Sequence, residues 1–134
     1  MTITTLEAFE KGTETFNAHD IDGFAGVLAD DVAFAAPGGV RGVGKQACAE
    51  FYAGWFTAFP DAHVDVGDLH VLDDVAVEVG VFTGTHEGPL GAAPPTGRRV
   101  SVDYIQVLRI RDGKHVSFAL MFDRLAMLEQ LGLA

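Results

Sequence analysis

The sequence predicts an α+β domain, with three N-terminal helices packed on a curved, mostly antiparallel sheet that closes into a cone-shaped α+β barrel. Three observations predict it. Apolar residues recur at helical spacing through most of residues 4–60, broken by one short strand pattern. Residues 62–122 alternate apolar and polar with a period of two, in four long runs. Tight turn signals join those runs, which makes neighbouring strands antiparallel and leaves the helices on one side.

The elements follow in order. Thr4-x-x-Glu7 has capping-box spacing, and Leu6, Phe9, Thr13 and Phe16 then share a stripe, giving a first helix to about Asn17. Asp20 suits the cap of a shorter helix whose apolar face is Phe24, Val27 and Leu28. "DVAFAAPGG" reads as a short strand ending in a Pro-Gly-Gly turn, and "PGGVRG" as turn alone. A third helix runs from about Lys45 to Phe59, with Cys48, Phe51, Tyr52, Trp55 and Phe59 at helical spacing. Pro60 stops its next turn.

The first long strand covers about 62–72. Its apolar parity flips from Val64 and Val66 to Leu69 and Val71, which predicts a bulge near Gly67. Asp73-Asp74 turns the chain into "VAVEVGVFTGTH", and a Gly/Pro loop at 88–97 leads to "RRVSVDYIQVLRIR". An Asp112-Gly113 hairpin returns it as "HVSFALMF", where parity puts Val116, Phe118, Leu120 and Phe122 on one face. "LAMLEQLGL" closes as a short amphipathic helix. With no repeat or linker in view, residues 1–134 read as one domain.

Composition narrows the function classes. Apolar residues make up 49% of the chain, with ten phenylalanines, as in a packed globular protein. The 19 acidic against 9 basic residues give a formal charge of −10, which repels phosphate backbones and anionic membranes. No nucleic-acid partner and no membrane partner are expected. The lone Cys48 excludes an intrachain disulfide and sits in an apolar helical pattern as buried filler. No basic segment precedes an apolar run, so the expectation is a cytoplasmic protein. No phosphate loop, dinucleotide fingerprint or nucleophile motif is present. His63 and His70 lie on a bulged strand without a third ligand at suitable spacing, so no metal site is expected.

Four stretches together resemble a family. They are "FNAHDIDGFAGVLADDVAF", "GVGKQACAEFYAGWFTAFPD", "GTHEGPLGAAPPTGRRV" and "FDRLAMLEQLGL", spanning about residues 6–133. The chain resembles the SnoaL-like polyketide cyclases, or ester cyclases, of the nuclear transport factor two-like superfamily. The resemblance implies a cofactor-free, homodimeric α+β cone. In it, one acid/base group works on a small apolar or aromatic ligand in a hydrophobic pocket. It also exposes a departure: the family's catalytic Asp falls at Leu120 here, so that acid does not carry over. Asp123 has the opposite parity and reads as a helix cap or surface pair.

Candidate replacements come from the other strands. Glu78 interrupts "VAVEVGVF" and shares parity with Ala76, Gly80, Phe82, Gly84 and His86. Facing the cavity, it is a buried acid/base with a raised pKa; facing out, it pairs with Arg109 or Arg111 in a surface or dimer interface. His86, in the Gly-Thr-His stretch, is either a proton shuttle at the cavity mouth or a structural histidine bonding the 88–97 loop. Tyr104 can donate to a carbonyl or enolate, or sit as an aromatic at the rim. Gln106 can orient a ligand but not accept a proton. His19 reads as a capping or packing residue. Phe34, Trp55, Phe59, Phe82, Phe118 and Leu120 are expected to line the pocket, and Gly80 to enlarge it.

Three functions compete. The first is a cyclase-like enzyme acting on an apolar, polycyclic ester or ketone, with Glu78, His86 and Tyr104 as catalytic residues. The second is a hydroxylase, hydratase or epoxide hydrolase on the same fold. The third is a binding protein whose cavity has lost its acid at Leu120.

Overall fold

Helix α1 (Thr5–Asn17) begins at the predicted capping box. The Thr4 hydroxyl accepts from the Glu7 N–H at 3.1 Å, and the Glu7 carboxylate accepts from the Thr4 N–H at 3.2 Å. Asp20 caps α2 (Ile21–Ala25) by accepting from the Gly23 N–H at 2.9 Å. This short helix ends before Val27 and Leu28. Leu28 instead opens β1 (Leu28–Ala36), where it is fully buried opposite His115, so strand pairing overrides the helical spacing. The computed structural model describes residues 3–134.

"PGGVRG" is more than a turn. Gly38 and Gly39, at φ of 88° and 78°, reverse the chain into β2 (Val40–Val43), which pairs antiparallel with β1. Helix α3 (Lys45–Ala58) follows and stops before Pro60, with Phe59 as its C-cap. The long strands are β3 (His63–Leu72), β4 (Val75–Thr85), β5 (Arg99–Arg111) and β6 (Lys114–Phe122), and α4 (Arg124–Gln130) closes the chain. The sheet order is β2-β1-β6-β5-β4-β3; β1 and β6 run parallel and every other pair antiparallel.

Register shifts shape the sheet, one of them between Leu28 and Ala33 where β1 pairs with β6. Val66 lies opposite Gly80 and Asp68 opposite Val79, which puts the predicted bulge at Gly67. Asp112 and Gly113, at φ of 52° and 73°, form the two-residue hairpin. A second, unforeseen bulge follows: Ile110 pairs with His115 but Arg109 pairs with Ser117. Val116 is therefore the extra residue, and His115 takes the inner face that parity had assigned to Val116.

The helices cover one face of the curved sheet. Phe9 and Phe16 of α1, Phe24 of α2 and Phe59 meet Phe82, Leu108 and Phe118 in one core cluster. Each such side chain stabilises the fold by roughly 1.5–3 kcal/mol on burial. Asp123 caps α4, accepting from the Ala126 N–H at 2.9 Å, and so lies outside the cavity chemistry. No helix among the described residues is long and apolar enough to cross a membrane.

Candidate functional site

Core packing is incomplete between the helices and the inner face of the sheet, where a cavity of about 90 Å³ remains. Its sheet wall includes Glu78, Phe82, Tyr104, Gln106, Phe118 and Leu120, and its helix wall includes Phe9, Phe16, Tyr52 and Trp55. Seven residues expected in the site are thus brought together.

Glu78 faces inward because β4 keeps strict alternation: Ala76, Glu78, Gly80 and Phe82 are all buried. It is 5% exposed. The Tyr104 O–H donates to its Oε2 at 2.9 Å, and the Gln106 amide donates to its Oε1 at 2.6 Å. Burial pushes the Glu78 carboxyl above its ordinary range, and the two hydrogen bonds offset part of that rise. No salt bridge among the described residues involves Glu78, and the outward pairing with Arg109 or Arg111 does not occur. The result is an acid satisfied by neutral donors alone.

Gly80 works differently from the expectation that it enlarges the cavity. It lies opposite Tyr104, and a Cβ there would stand 2.7 Å from the Tyr104 hydroxyl and 2.6 Å from the Asp65 carbonyl oxygen. The missing side chain is the space the phenol fills, and this seats Tyr104 against Glu78. Burial and then the Glu78 charge push the Tyr104 phenol well above its ordinary range, so it stays a neutral donor.

Three expected site residues lie elsewhere. Phe34 is not in the cavity wall; it stacks on Phe118 with ring centroids 5.6 Å apart and covers Gly42. Phe59 is fully buried behind Trp55 at 5.9 Å and packs over Gly84, where a Cβ would meet it at 2.9 Å. His86 is fully buried beside Phe59 and away from the cavity wall. Its Nδ1 accepts from the Thr96 N–H at 3.2 Å and lies 3.0 Å from the Thr96 hydroxyl, tying down the 88–97 loop. That bonding leaves the proton on Nε2, the one fully occluded side-chain N/O atom without a partner among the described residues.

Two titratable wall residues were missed. His115 reaches the cavity because of the bulge at Val116. Its Nε2–H donates to the Ala8 carbonyl at 2.8 Å, and burial lowers its pKa, so it is neutral. Its ring lies against Gly12, where a Cβ would stand 2.6 Å from Cε1. Tyr52, placed by its spacing on the apolar stripe of α3, also lines the cavity. The available signal was that a phenol in an apolar stripe needs a partner.

The remaining expectations are simpler. His19 packs on Phe56 at 4.6 Å, and its Nε2 lies 2.6 Å from the Ala62 carbonyl. Cys48 is fully buried, and burial pushes its thiol up to about 12, which leaves it inert. Among the described residues no group of His, Cys, Asp and Glu is arranged to hold a metal.

A curved six-stranded sheet with helices on its inner face, enclosing an apolar cavity that holds one buried carboxylate, is the cone fold of the nuclear transport factor two-like class. The sequence profile of the SnoaL-like polyketide cyclases matches residues 7–131, and the chain belongs to that family. No curated protein matches this chain. Among solved structures, IdmH of Streptomyces antibioticus, described as a candidate polyketide cyclase, is 26% identical. It covers 96% of this chain and 98% of its own, with a TM-score of 0.82. A SnoaL-like protein from Jannaschia is 22% identical over 98% of this chain and 95% of its own, with a TM-score of 0.89. AclR of Streptomyces galilaeus, described as a candidate hydroxylase, is 24% identical over 97% of this chain and 82% of its own, with a TM-score of 0.84. At their identities, the last two show the fold alone.

Proposed function

We propose that this chain binds an apolar ester or ketone in the cavity and that Glu78 moves a proton at the carbon next to the carbonyl, without a cofactor. One observation carries the reading: a carboxyl 5% exposed, held by two neutral donors and no cation. A structural carboxylate at this depth normally needs a cationic partner, because desolvation disfavours its charge. Here the raised pKa moves toward working pH, where a carboxyl both accepts and returns a proton. Tyr104 and Gln106 orient it.

The cavity also limits the ligand. At about 90 Å³ it is well below the roughly 300–1,000 Å³ usual for ligand pockets. A one- or two-ring carbonyl compound requires the least displacement of the half-buried Trp55, Leu120 and Phe122; a polycyclic ester requires more. The apolar wall around Leu120 favours a second reading, a carrier that binds without chemistry.

Incubation with 1-tetralone in deuterated water, read by mass spectrometry, separates them. Deuterium uptake that is lost in Glu78→Gln supports the enzyme. Saturable quenching of Trp55 fluorescence without uptake supports the carrier. Full uptake by Glu78→Gln removes Glu78 from the mechanism.

The chain is proposed to act as a homodimer through the outer face of the sheet. Val79, Ile105 and Met121 form one exposed row across β4, β5 and β6, and Val77, Val107 and Ala119 form the next. Asp103 and Arg109 flank these rows along β5, so a two-fold axis between Ile105 and Val107 sets each Asp103 against the partner copy's Arg109. Ile105→Glu should convert a sedimenting dimer to a monomer; an unchanged mass would place the contact elsewhere.

A further inference from the structure

We propose that Tyr52 is the oxyanion donor of this site. Its hydroxyl holds the ligand's carbonyl oxygen from the helix side while Glu78 works on the neighbouring carbon from the sheet side. This inference rests on the cavity being the ligand site and on Glu78 as the base.

Four observations lead to it. Tyr52 is 9% exposed and lines the cavity. Its ring is clamped by Phe24 at 4.5 Å, Phe51 at 5.2 Å, Phe118 at 5.6 Å and Phe16 at 5.9 Å, so its direction is preorganised. Its hydroxyl makes no hydrogen bond among the described residues. Yet it is not an occluded orphan, a status that only His86 Nε2 has there, and the residue that carries it lines the cavity. Finally, burial, then Cys48, then Glu78 raise its pKa, which places the phenol within the field of the carboxylate and keeps it a neutral donor.

Packing does not explain this hydroxyl. A phenylalanine would satisfy the same four rings, and a shielded hydroxyl without a partner is unfavourable unless something in the cavity takes its hydrogen bond. The contrast with Tyr104 is direct, since that O–H is committed to Glu78 at 2.9 Å. The free donor of the pair is Tyr52.

The step balances without a further reactant. The α C–H bond breaks and its proton passes to the Glu78 carboxylate. The C–H electron pair forms the C=C bond, and the carbonyl π pair moves onto oxygen, where the Tyr52 O–H stabilises the charge. Return of the proton to carbon, or attack of that carbon on a second carbonyl in the same ligand with the Glu78 proton passing to the alkoxide so formed, ends the cycle and restores the carboxylate. The ligand is therefore a carbonyl compound whose oxygen points to α3 and whose acidic carbon points to β4.

The test compares wild type, Tyr52→Phe and Glu78→Gln with 1-tetralone and with tetralin, which has no oxygen. Wild type should bind 1-tetralone several-fold more tightly than tetralin, an effect of about one net hydrogen bond, and Tyr52→Phe should erase that preference. In Tyr52→Phe, kcat for deuterium uptake should fall roughly 10²-fold or more, with a smaller change in KM and no loss of thermal stability. Equal wild-type affinity for the two probes overturns the proposal without any variant. So does a Tyr52→Phe protein with full uptake and an intact preference; if Glu78→Gln is inactive in that case, the base assignment survives alone. A preference that vanishes in Tyr52→Phe while wild type exchanges no deuterium keeps Tyr52 as the carbonyl holder and removes Glu78 as the base.

Discussion

The two walls of the cavity differ sharply. The β4–β5 wall carries Glu78, Tyr104 and Gln106 in one hydrogen-bonded group. The β6 wall offers Phe118, Leu120 and Phe122, with His115 at its start bonded to helix α1. Gln106 stands between them, opposite Glu78 on one side and Leu120 on the other. Inner residues directly opposite in neighbouring strands lie only about 4.5–5.5 Å apart at Cβ. Glu78 and Leu120 are therefore two strand spacings apart, roughly 9–11 Å at Cβ, and both line the same cavity. Under the proposed function the acid stands on the opposite flank of Gln106 from Leu120, the position that the family resemblance implies.

The largest expected effect breaks this contrast. Glu78→Gln should lower deuterium uptake by roughly 10²–10⁴-fold, the usual range for a positioned acid/base. Adding Leu120→Asp to that variant returns a carboxyl to the β6 wall and should recover part of the rate. No recovery, with binding intact, would show that Tyr104 and Gln106 serve only an acid on β4.

A structural change comes next. Gly80→Ala forces a Cβ to 2.7 Å from the Tyr104 hydroxyl and 2.6 Å from backbone oxygen, and should destabilise by about 1–3 kcal/mol in chemical denaturation. Uptake should fall with it as Tyr104 leaves Glu78. Gly12→Ala tests the other wall. Helix propensity alone favours Ala by about 1 kcal/mol. The clash with the His115 ring at 2.6 Å should reverse that sign, and a stabilised variant would show that the ring yields freely.

The smallest effect is in pH. The folded-state pKa of Glu78 is raised above the unfolded one, so the folded state holds the proton more tightly and stability falls as pH rises. The contribution is fully present below the unfolded pKa near 4.5 and is lost as pH climbs through the raised folded value. The melting temperature of wild type should therefore fall relative to Glu78→Gln from about pH 4.5 upward, the ordinary range where a glutamate ionises. Parallel melting curves across that range would place Glu78 in a solvated setting.

Much of the fold was legible in residue order. The capping box at Thr4, the stop at Pro60, the parity flip around Gly67 and the Asp112-Gly113 turn are local signals, and each acts over a few residues. β2 and the start of β1 were not, because short strands owe their existence to a partner distant in sequence. Leu28 becomes a strand residue only through its parallel partner His115.

The sequence by itself determined that Glu78 shares a strand face with Gly80 and Phe82, and that Leu120 is not an acid, since alternation and identity are local properties. Only the tertiary structure decided which hydroxyl is spent and which is free. Tyr104 reaches Glu78 because Gly80 leaves room for its ring, and Tyr52 faces the cavity because four rings from α1, α2, α3 and β6 converge on it. Spacing along one chain segment sets the face a side chain takes. What that face meets is set by packing between segments far apart in sequence.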